Sequence, residues 1–408
     1  MTQEILFAAA MGLVDPWYIV KVEFAAGRTI LGSGRLDIYI DFKVGWKFKD
    51  PASQELCGVH DTVERSWRHA NFFQHDCYVH AYVPRIKLPD ESVKQVQVPW
   101  AMEGSSFTLL FEALSMLLVQ EGMSLSSAGR MVNEDSRVIG RIIGRYVDQA
   151  LQEQPLQQVE VLGIDEVSIK KGHNYLTILS DSKRKKIVGV GIGKGKDAVL
   201  EGLKEMEIRG SQAQHVKYAT IDFSPSYISA VMEYLPNSIQ IFDRFHLEQL
   251  LSKAVDTIRK QEQSEASELK KTKFLWIRKE ESLSPKQKAK IYYLSYCFPK
   301  LGEAYRLKEL FKQIFNNANE SNALQDFNEW MIIASESKIV PIQQFLNTIR
   351  THWSGIINFF KRQYTNAFAE QLNSTIQLIK RIARGYRNMD NYITMIYFRL
   401  GGLNFYTH

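Results

Sequence analysis

The sequence predicts a mixed α/β fold that follows a β-rich segment and a group of three helices. Residues 1 to about 100 alternate apolar and polar residues, as in "RLDIYIDF" (35–42), which is the pattern of half-buried strands. Residues 107–152 change to the spacing of amphipathic helices. From 157 to 242, strand and helix patterns alternate, which is typical of a sheet covered by helices.

Length and composition restrict the class of protein. At roughly 100–200 residues per domain, the 408 residues suggest two to four domains. Three cysteines, Cys57, Cys77 and Cys297, are too few for a disulfide framework and fit a reducing cytoplasm. No apolar run of 18 residues and no basic leader occur, so we expect neither a membrane span nor a signal peptide. The net charge of +6 permits a nucleic-acid partner without requiring one.

The β-rich segment contains two sequence pairs that resemble metal-binding spacings. These are Cys57 with His60 and Cys77 with His80. The second pair falls in "DCYVHAYVPRIKL" (76–88), an alternating strand in which the two side chains point to opposite faces. "LPDESVKQVQVPW" (88–100) reads as a turn and a further short strand. We therefore expect no zinc site in this domain.

Three helices follow, with a tight turn between the second and third. They are "FTLLFEALSMLLVQEG" (107–122), "SLSSAGRMV" (124–132), with Ser124 as N-cap, and "NEDSRVIGRIIGRYVDQAL" (133–151). Arg137, Arg141 and Arg145 recur every four residues and so share a helix face. This arrangement predicts a helix-turn-helix that binds DNA, although a solvated surface helix would show the same arginines.

Three hairpin-connected strands begin the α/β region, and helix, strand, helix and strand follow. The strands are "QVEVLGIDEVSI" (158–169), "NYLTILSD" (174–181), "KKIVGVGIG" (185–193), "VKYATIDF" (216–223) and "SIQIFD" (238–243). This order predicts a mixed sheet and not a doubly wound one. The G-x-G of Gly191 and Gly193 is an incomplete dinucleotide fingerprint, so we give it no binding role.

Two acids end strands of this region, and a third lies on the last long helix. Asp165 ends the first strand, and Asp222 ends a later one. Glu370 lies on a helix face with other polar residues, namely Asn366, Asn373 and Ser374. Carboxylate oxygens are the ligands that Mg²⁺ prefers. The alternative is a wet helix face and solvated turns, and spacing alone does not distinguish these three among 45 acids.

Four sequence stretches resemble those of a known family. They are "GIDEVSIKKGHNY", "ATIDFSPSYISAV", "IFDRFHLEQLLSKAVDTIRK" and "NAFAEQLNSTIQLIKRIARGYRN". In this order and at these separations they resemble the DDE transposases of bacterial insertion sequences, specifically the ISL-three family. The resemblance extends over almost the whole chain.

The resemblance implies a ribonuclease-H-like core with a helical insertion. Asp165, Asp222 and Glu370 would form an Asp-Asp-Glu triad that binds two Mg²⁺ ions, for which Mn²⁺ can substitute. Two metals about 4 Å apart stabilise the attacking and leaving oxygens of an in-line displacement. The enzyme would cut DNA at the element's ends and join the freed 3′-hydroxyl to target DNA. The implied partners are double-stranded DNA, both transposon ends and target, and further copies of the chain in a homo-oligomer, in the cytoplasm at the nucleoid.

Further residues are assigned supporting or DNA-binding roles. Lys380, Arg381 and Arg384 join the three helix arginines as DNA-binding candidates, as do Arg65, Arg68 and Arg85 of the β-rich domain. Asn373 supports the triad. Asp243 and His246 in "DRFH" either support the site or cap and pack the inserted helices, and we favour the second role. Relatives carry paired cysteines near "VHD" and "VPR", of which only Cys57 remains here, so a four-cysteine zinc site is excluded.

The sequence divides into five predicted segments. These are a β-rich domain with a degenerate zinc-binding-like region (1–100), the helix-turn-helix (101–152), the first part of the catalytic core (153–244), the helical insertion (245–350) and the C-terminal core helices (351–408). The leading alternative function is a non-catalytic DNA-binding protein derived from a transposase. A nuclease that cuts without joining, and a recombinase with a covalent tyrosine or serine intermediate, are the others.

Overall fold

The computed structural model describes residues 2–25, 34–50, 52–88, 90–170, 174–315, 320–362 and 367–405. The chain forms two compact units. The first contains Met1–Gln149 and Lys380–Arg399, and the second Ala150–Ile379 and Leu400–His408. Within the described ranges, no helix combines the length and apolar character needed to cross a membrane.

The first unit is built on a five-stranded sheet, a two-stranded sheet and several helices. Its elements, with the last helix, are α1 (Gln3–Ala10), β1 (Trp17–Ala25), β2 (Arg35–Phe42), β3 (Phe48–Lys49), β4 (Leu56–Cys57), β5 (Val59–Phe72), β6 (His75–Lys87), β7 (Val93–Gln95), α2 (Leu109–Gln120), α3 (Leu125–Val132), α4 (Ser136–Glu153) and α15 (Met389–Leu400). The sheet order is β1-β2-β6-β5, and β7 pairs with β6. Among the described strand pairs of this sheet, β2–β6 is parallel and the others are antiparallel. The strands predicted as β2, β6 and β7 are confirmed.

Alternation along β6 places its two candidate metal ligands on opposite faces, as predicted. Cys77 is buried in the core with Val79 and Ala81. His80 lies on the other face, where its Nε2 is 2.7 Å from Asp37 Oδ1. This pair therefore cannot share one metal ion, whereas the expected absence of zinc stays a prediction.

The three predicted helices are confirmed, and so is the N-cap of the second. Ser124 Oγ accepts a hydrogen bond from Ser127 N at 3.1 Å, which satisfies one of the free N–H groups at the start of α3. Asn133 ends α3 in the left-handed conformation, with φ of 54°. Gly129 is required here, because a Cβ at this position would lie 2.5 Å from Glu134 O. The turn between α3 and α4 is therefore tight.

The second unit contains a mixed sheet followed by helices. Its strands and their connecting helices are β8 (Val161–Lys170), β9 (Asn174–Asp181), β10 (Lys186–Ile192), α5 (Lys196–Ile208), β11 (Tyr218–Ile221), α6 (Pro225–Tyr234) and β12 (Ile239–Phe242). The sheet order is β10-β9-β8-β11-β12. β10, β9 and β8 are antiparallel, and β8, β11 and β12 are parallel. The predicted mixed sheet is confirmed.

Glycines of β10 allow a helix to approach the sheet closely. A Cβ on Gly191 would lie 1.8 Å from Ala198 O of α5, and one on Gly189 would lie 2.2 Å from Gly202 O. The glycine run of this strand thus has a packing role, which accounts for the incomplete dinucleotide fingerprint.

Helices after β12 enclose an aromatic core. They are α7 (Arg244–Gln263), α8 (Lys273–Ile277), α9 (Pro285–Cys297), α10 (Pro299–Ile314), α11 (Glu320–Glu336), α12 (Val340–Thr351), α13 (Trp353–Arg362) and α14 (Ala367–Ile382). Phe311 packs between the rings of Trp330 and Phe345, with centroid distances of 4.8 and 5.4 Å. Trp276 is fully buried, and its Nε1 donates to Thr272 Oγ1 at 3.2 Å.

Candidate functional site

Three aspartates stand in one row across the parallel half of the mixed sheet. The β8–β11 register pairs Gly163 with Thr220, and its continuation places Asp165 opposite Asp222. The β11–β12 register pairs Ile221 with Phe242, and its continuation places Asp222 opposite Asp243. Because neighbouring strands lie about 4.8 Å apart, the three backbones are adjacent.

The prediction that Asp165 ends its strand is wrong. β8 continues to Lys170, and Asp165 pairs with Ile178 of β9. The row forms because β11 and β12 stop at this level while β8 extends beyond it. A rigid antiparallel pair therefore holds Asp165 from one side, and its other side faces the ends of the shorter strands.

Asp165 is buried, whereas Asp222 is half-buried. Asp165 is 8% exposed, and burial raises the pKa of its carboxyl to about 6. Its Oδ1 accepts a 2.7 Å bond from Glu166 N, which acts in the opposite direction on the pKa. Asp222 and Asp243 raise the pKa of Asp165 further, and His246 lowers it. The row is thus a site where negative charge is crowded and a cation would be favoured.

Asp222 and Asp243 are each oriented by the backbone of the helix that follows. Asp222 Oδ1 accepts from Ser224 N at 2.8 Å. Asp243 is the N-cap of α7, and its Oδ1 accepts from Phe245 N at 3.1 Å. The capping role favoured for Asp243 is confirmed. His246 Nε2 lies 3.9 Å from Asp243 Oδ2, so both residues also belong to the electrostatic surroundings of Asp165.

Helix α14 contributes an amide to the same site. Asn373 Nδ2 donates to Asp165 Oδ2 at 2.8 Å, and Gln377 Nε2, one turn later, donates to Ser168 O at 2.8 Å. The polar stripe is therefore not simply the wet face of the helix. Glu370 lies in α14, three residues before Asn373 and thus on the same side. Its side chain, like the whole of Asn366, falls outside the described residues.

The side chains of this row can be compared with the ligands that a metal ion requires. Within the side chains that the structure describes, no three His, Cys, Asp or Glu groups already have the geometry of a metal site. Two carboxylates, Asp165 and Asp222, nevertheless share one row. The buried Oδ1 of Asn373 has no hydrogen-bond partner among the described residues, beside the carboxylate that its Nδ2 binds. Oxygen donors of this kind suit Mg²⁺ and not zinc.

Sequence reasoning missed the support beneath this row. The Thr177 hydroxyl is fully buried and donates to Gly193 O at 2.9 Å. Tyr227 OH lies 3.0 Å from the same hydroxyl, and burial raises the pKa of Tyr227. Both side chains look like ordinary strand and helix residues in the sequence, so no local signal identifies them.

The three arginines of α4 have different environments. Arg137 and Arg141 are exposed, and Arg137 Nε is 3.0 Å from Asp135. Arg145 forms an ion pair with the fully buried Glu112, which also accepts a 2.8 Å bond from Tyr146 OH. Two arginines of the predicted face therefore point to solvent, Arg137 with an exposed acidic partner, and the third anchors α4 to α2.

One predicted DNA contact from the β-rich domain is wrong. Arg68 is 5% exposed, and its guanidinium lies 2.8 Å from Asp76 and donates to Val132 O. It connects the sheet to α3 and cannot reach a ligand. Of the C-terminal basic residues, Arg381 and Arg384 are exposed and Lys380 is half-buried.

Comparisons with known proteins match two parts of the chain to transposase family models. Residues 162–396, more than half of the chain, match the DDE family model of ISL3 type, described as "Transposase". Residues 96–147 match the helix-turn-helix domain of transposase family ISL3. The chain is similar to the transposase for insertion sequence element IS1557 of Mycobacterium tuberculosis, with 24% identity over 368 residues, 83% of this chain and 82% of that protein. It is also similar to the transposase for insertion sequence element IS1001 of Bordetella parapertussis, with 23% identity over 359 residues, 84% of this chain and 87% of that protein.

Proposed function

Since the chain belongs to the ISL3 (ISL-three) family of insertion-sequence transposases, we propose that it cuts DNA at the ends of its element and joins them to target DNA. The observation that carries this proposal is the row of Asp165 and Asp222, with Asn373 of α14 bound to Asp165. A helix from far along the chain is thereby joined to the acids of the sheet. Glu370, one turn from Asn373, would complete the Asp-Asp-Glu triad.

The mixed sheet supports a ribonuclease-H-like core. Three antiparallel strands are followed by two parallel strands joined through helices, and the acids stand at the level where β11 and β12 end. Such an edge is where an α/β sheet presents its ligands. We further propose that the helices from α7 to α12 are an insertion between the sheet and the C-terminal core helices, which begin with α13.

Asp165, Asp222 and Glu370 would hold Mg²⁺, with Mn²⁺ as a substitute. When bound, the metal supplies Lewis-acid stabilisation of the attacking and leaving oxygens at phosphorus. The carboxyl of Asp165, with its pKa of about 6, must lose its proton to act as a ligand. The amide of Asn373 and the N–H of Glu166 fix the orientation of that carboxylate, so little rearrangement is needed on binding.

DNA recognition would use the helix-turn-helix of the first unit. The exposed Arg137 and Arg141 of α4 carry the charge that phosphate contacts require. Arg145 would contribute indirectly, because its ion pair with Glu112 holds α4 in place. Arg381 and Arg384 are exposed and would add phosphate contacts. We propose action as a homo-oligomer on paired element ends, on the DNA of the bacterial cytoplasm.

The test is cleavage of a labelled duplex that carries the element's terminal repeat and its flank, with Mg²⁺. Wild type should nick at the repeat boundary, and Asp222→Asn should bind the duplex without cutting. Asp197→Asn is the matched control, because Asp197 is exposed on α5 and lies outside the row. If wild type binds but does not cut in Mg²⁺ or Mn²⁺, the protein is instead a non-catalytic binder derived from a transposase.

A further inference from the structure

A groove of about 600 Å³ runs along α7, on the side where that helix leaves the aspartate row. One wall is formed by α7 residues spaced three or four apart, from Phe245 to Lys260, which lie on one helix face. At 1.5 Å per residue this wall is roughly 22 Å long. The opposite wall comes from α8 and α10. The groove begins two residues after Asp243 and therefore leads away from the proposed active site.

The groove is strongly basic. Five lysines line it, namely Lys253, Lys260, Lys273, Lys279 and Lys312. Its two acids are already neutralised, because Asp256 pairs with Arg259 at 2.8 Å and Glu248 pairs with Arg244 at 2.6 Å.

Three of the lysines are available to a ligand. Lys260 and Lys312 have acidic partners at 3.2 and 3.3 Å. Lys253, Lys273 and Lys279 are exposed, and with the described residues they form no ion pair. Phe245, at the end nearest the row, is 44% exposed, so an aromatic ring is presented at the mouth of a basic channel.

We propose that this groove is a second DNA-binding site, which holds the backbone phosphates of the duplex as it leaves the active site. The inference rests on the proposed function, because it assigns a path to the DNA that the triad would cut. Its length corresponds to about six phosphates of one strand at 3.4 Å each. Lysines act as point charges on phosphate, so binding here would not depend on base sequence.

The expected effect follows from counterion release. Each lost phosphate contact reduces the slope of log K against log salt by about 0.9. The triple variant Lys253→Gln, Lys273→Gln, Lys279→Gln should thus reduce the slope by about 2.7. When salt is raised from 50 to 200 mM, the triple variant should lose affinity by a factor about 40 times smaller than the factor for wild type.

The experiment measures binding of the full chain to the terminal-repeat duplex with its flank, in EDTA. The control is Lys286→Gln, Lys288→Gln, Lys290→Gln on α9, which removes the same charge from exposed positions outside the groove. A reduced slope in the groove variant alone supports the site. If the groove variant and the control variant give the same slope, whether or not that slope differs from the wild-type slope, the proposal is overturned. The groove would then suit an acidic protein surface instead.

A second measurement needs no substitution. Bound duplex should protect Lys253, Lys273 and Lys279 of the wild-type chain from reductive methylation, and leave the α9 lysines reactive. Equal reactivity with and without DNA would overturn the proposal even if the triple variant failed to fold. Since no metal is present, failure of the proposed cleavage leaves both readouts unchanged, and the two proposals fail independently.

Discussion

Replacing Asp165 by asparagine should stabilise the folded protein while it removes a proposed metal ligand. The carboxyl is 8% exposed, and burial raises its pKa from 3.8 to about 6. A folded-state pKa above the unfolded one means that the folded protein binds the proton more tightly. The stability that the tighter proton binding contributes is fully present below pH 3.8 and is lost as the pH rises through about 6.

The magnitude follows from the shift of about two pKa units. At pH 7.5 the ionised Asp165 costs about 3 kcal/mol relative to an unfolded chain. Asparagine has no charge to bury. Its hydrogen bonds can be kept, because its Oδ1 still accepts from Glu166 N. If the amide of Asn373 turns over, the Oδ1 of that residue, which has no partner in the described part of the chain, accepts from the new amide. We expect a net gain of about 2 kcal/mol.

Thermal unfolding measures this gain, with EDTA present. For a unit of about this size, 2 kcal/mol raises the midpoint by roughly 4–8 °C. The difference should vanish near pH 4, where the wild-type carboxyl is protonated. Mg²⁺ should raise the midpoint of wild type but not of the variant. Asp181→Asn is the control, because Asp181 is buried but paired with Arg184 at 2.7 Å, and its replacement should destabilise. A lower midpoint for Asp165→Asn at pH 7.5 would refute the reasoning.

Two further predictions concern charged groups of the first unit, and a third concerns Asp165 itself. Glu112→Gln should destabilise the first unit by about 2–3 kcal/mol, because it leaves Arg145 without its buried partner; urea unfolding measures this, and an unchanged midpoint contradicts it. Arg141→Gln should weaken binding to the terminal-repeat duplex and reduce the salt slope by about 0.9; equal slopes would show that the exposed side of α4 does not touch DNA. Single-turnover cleavage at a subsaturating Mg²⁺ concentration should fall as the pH drops below about 6, because the proton then competes with the metal for the Asp165 carboxyl; a rate that stays flat from pH 5 to 8 at that concentration would mean that this carboxylate is not a ligand.

Much of the fold could be predicted from local pattern. β2 and β6 were found because a strand with one buried face alternates with period two. The N-cap at Ser124 could be predicted because a hydroxyl directly before an amphipathic stretch accepts a hydrogen bond from the first turn of the helix. The mixed sheet followed from the order of strand and helix patterns.

Register and partners across the chain could not be predicted in this way. Asp165 and Asp222 align through the β8–β11 register, which joins strands far apart in the chain and leaves no local mark. The α4 arginines are four residues apart, and each is turned by about 40° around the helix axis relative to the one before it. Arg145 is thus turned about 80° from Arg137, toward Glu112. The fully buried Glu112 lies on α2 and carries no sign of its partner.

The most direct test of the Asp-Asp-Glu triad is to map its metal site on the intact protein. Fe²⁺ in place of Mg²⁺, with ascorbate and peroxide, cuts the backbone beside the bound metal, and mass spectrometry locates the cuts. The triad predicts cuts next to Asp165, Asp222 and Glu370, all suppressed by excess Mg²⁺. Cuts near the two aspartates with none on α14 near Glu370, or cuts that Mg²⁺ does not suppress, would contradict the account.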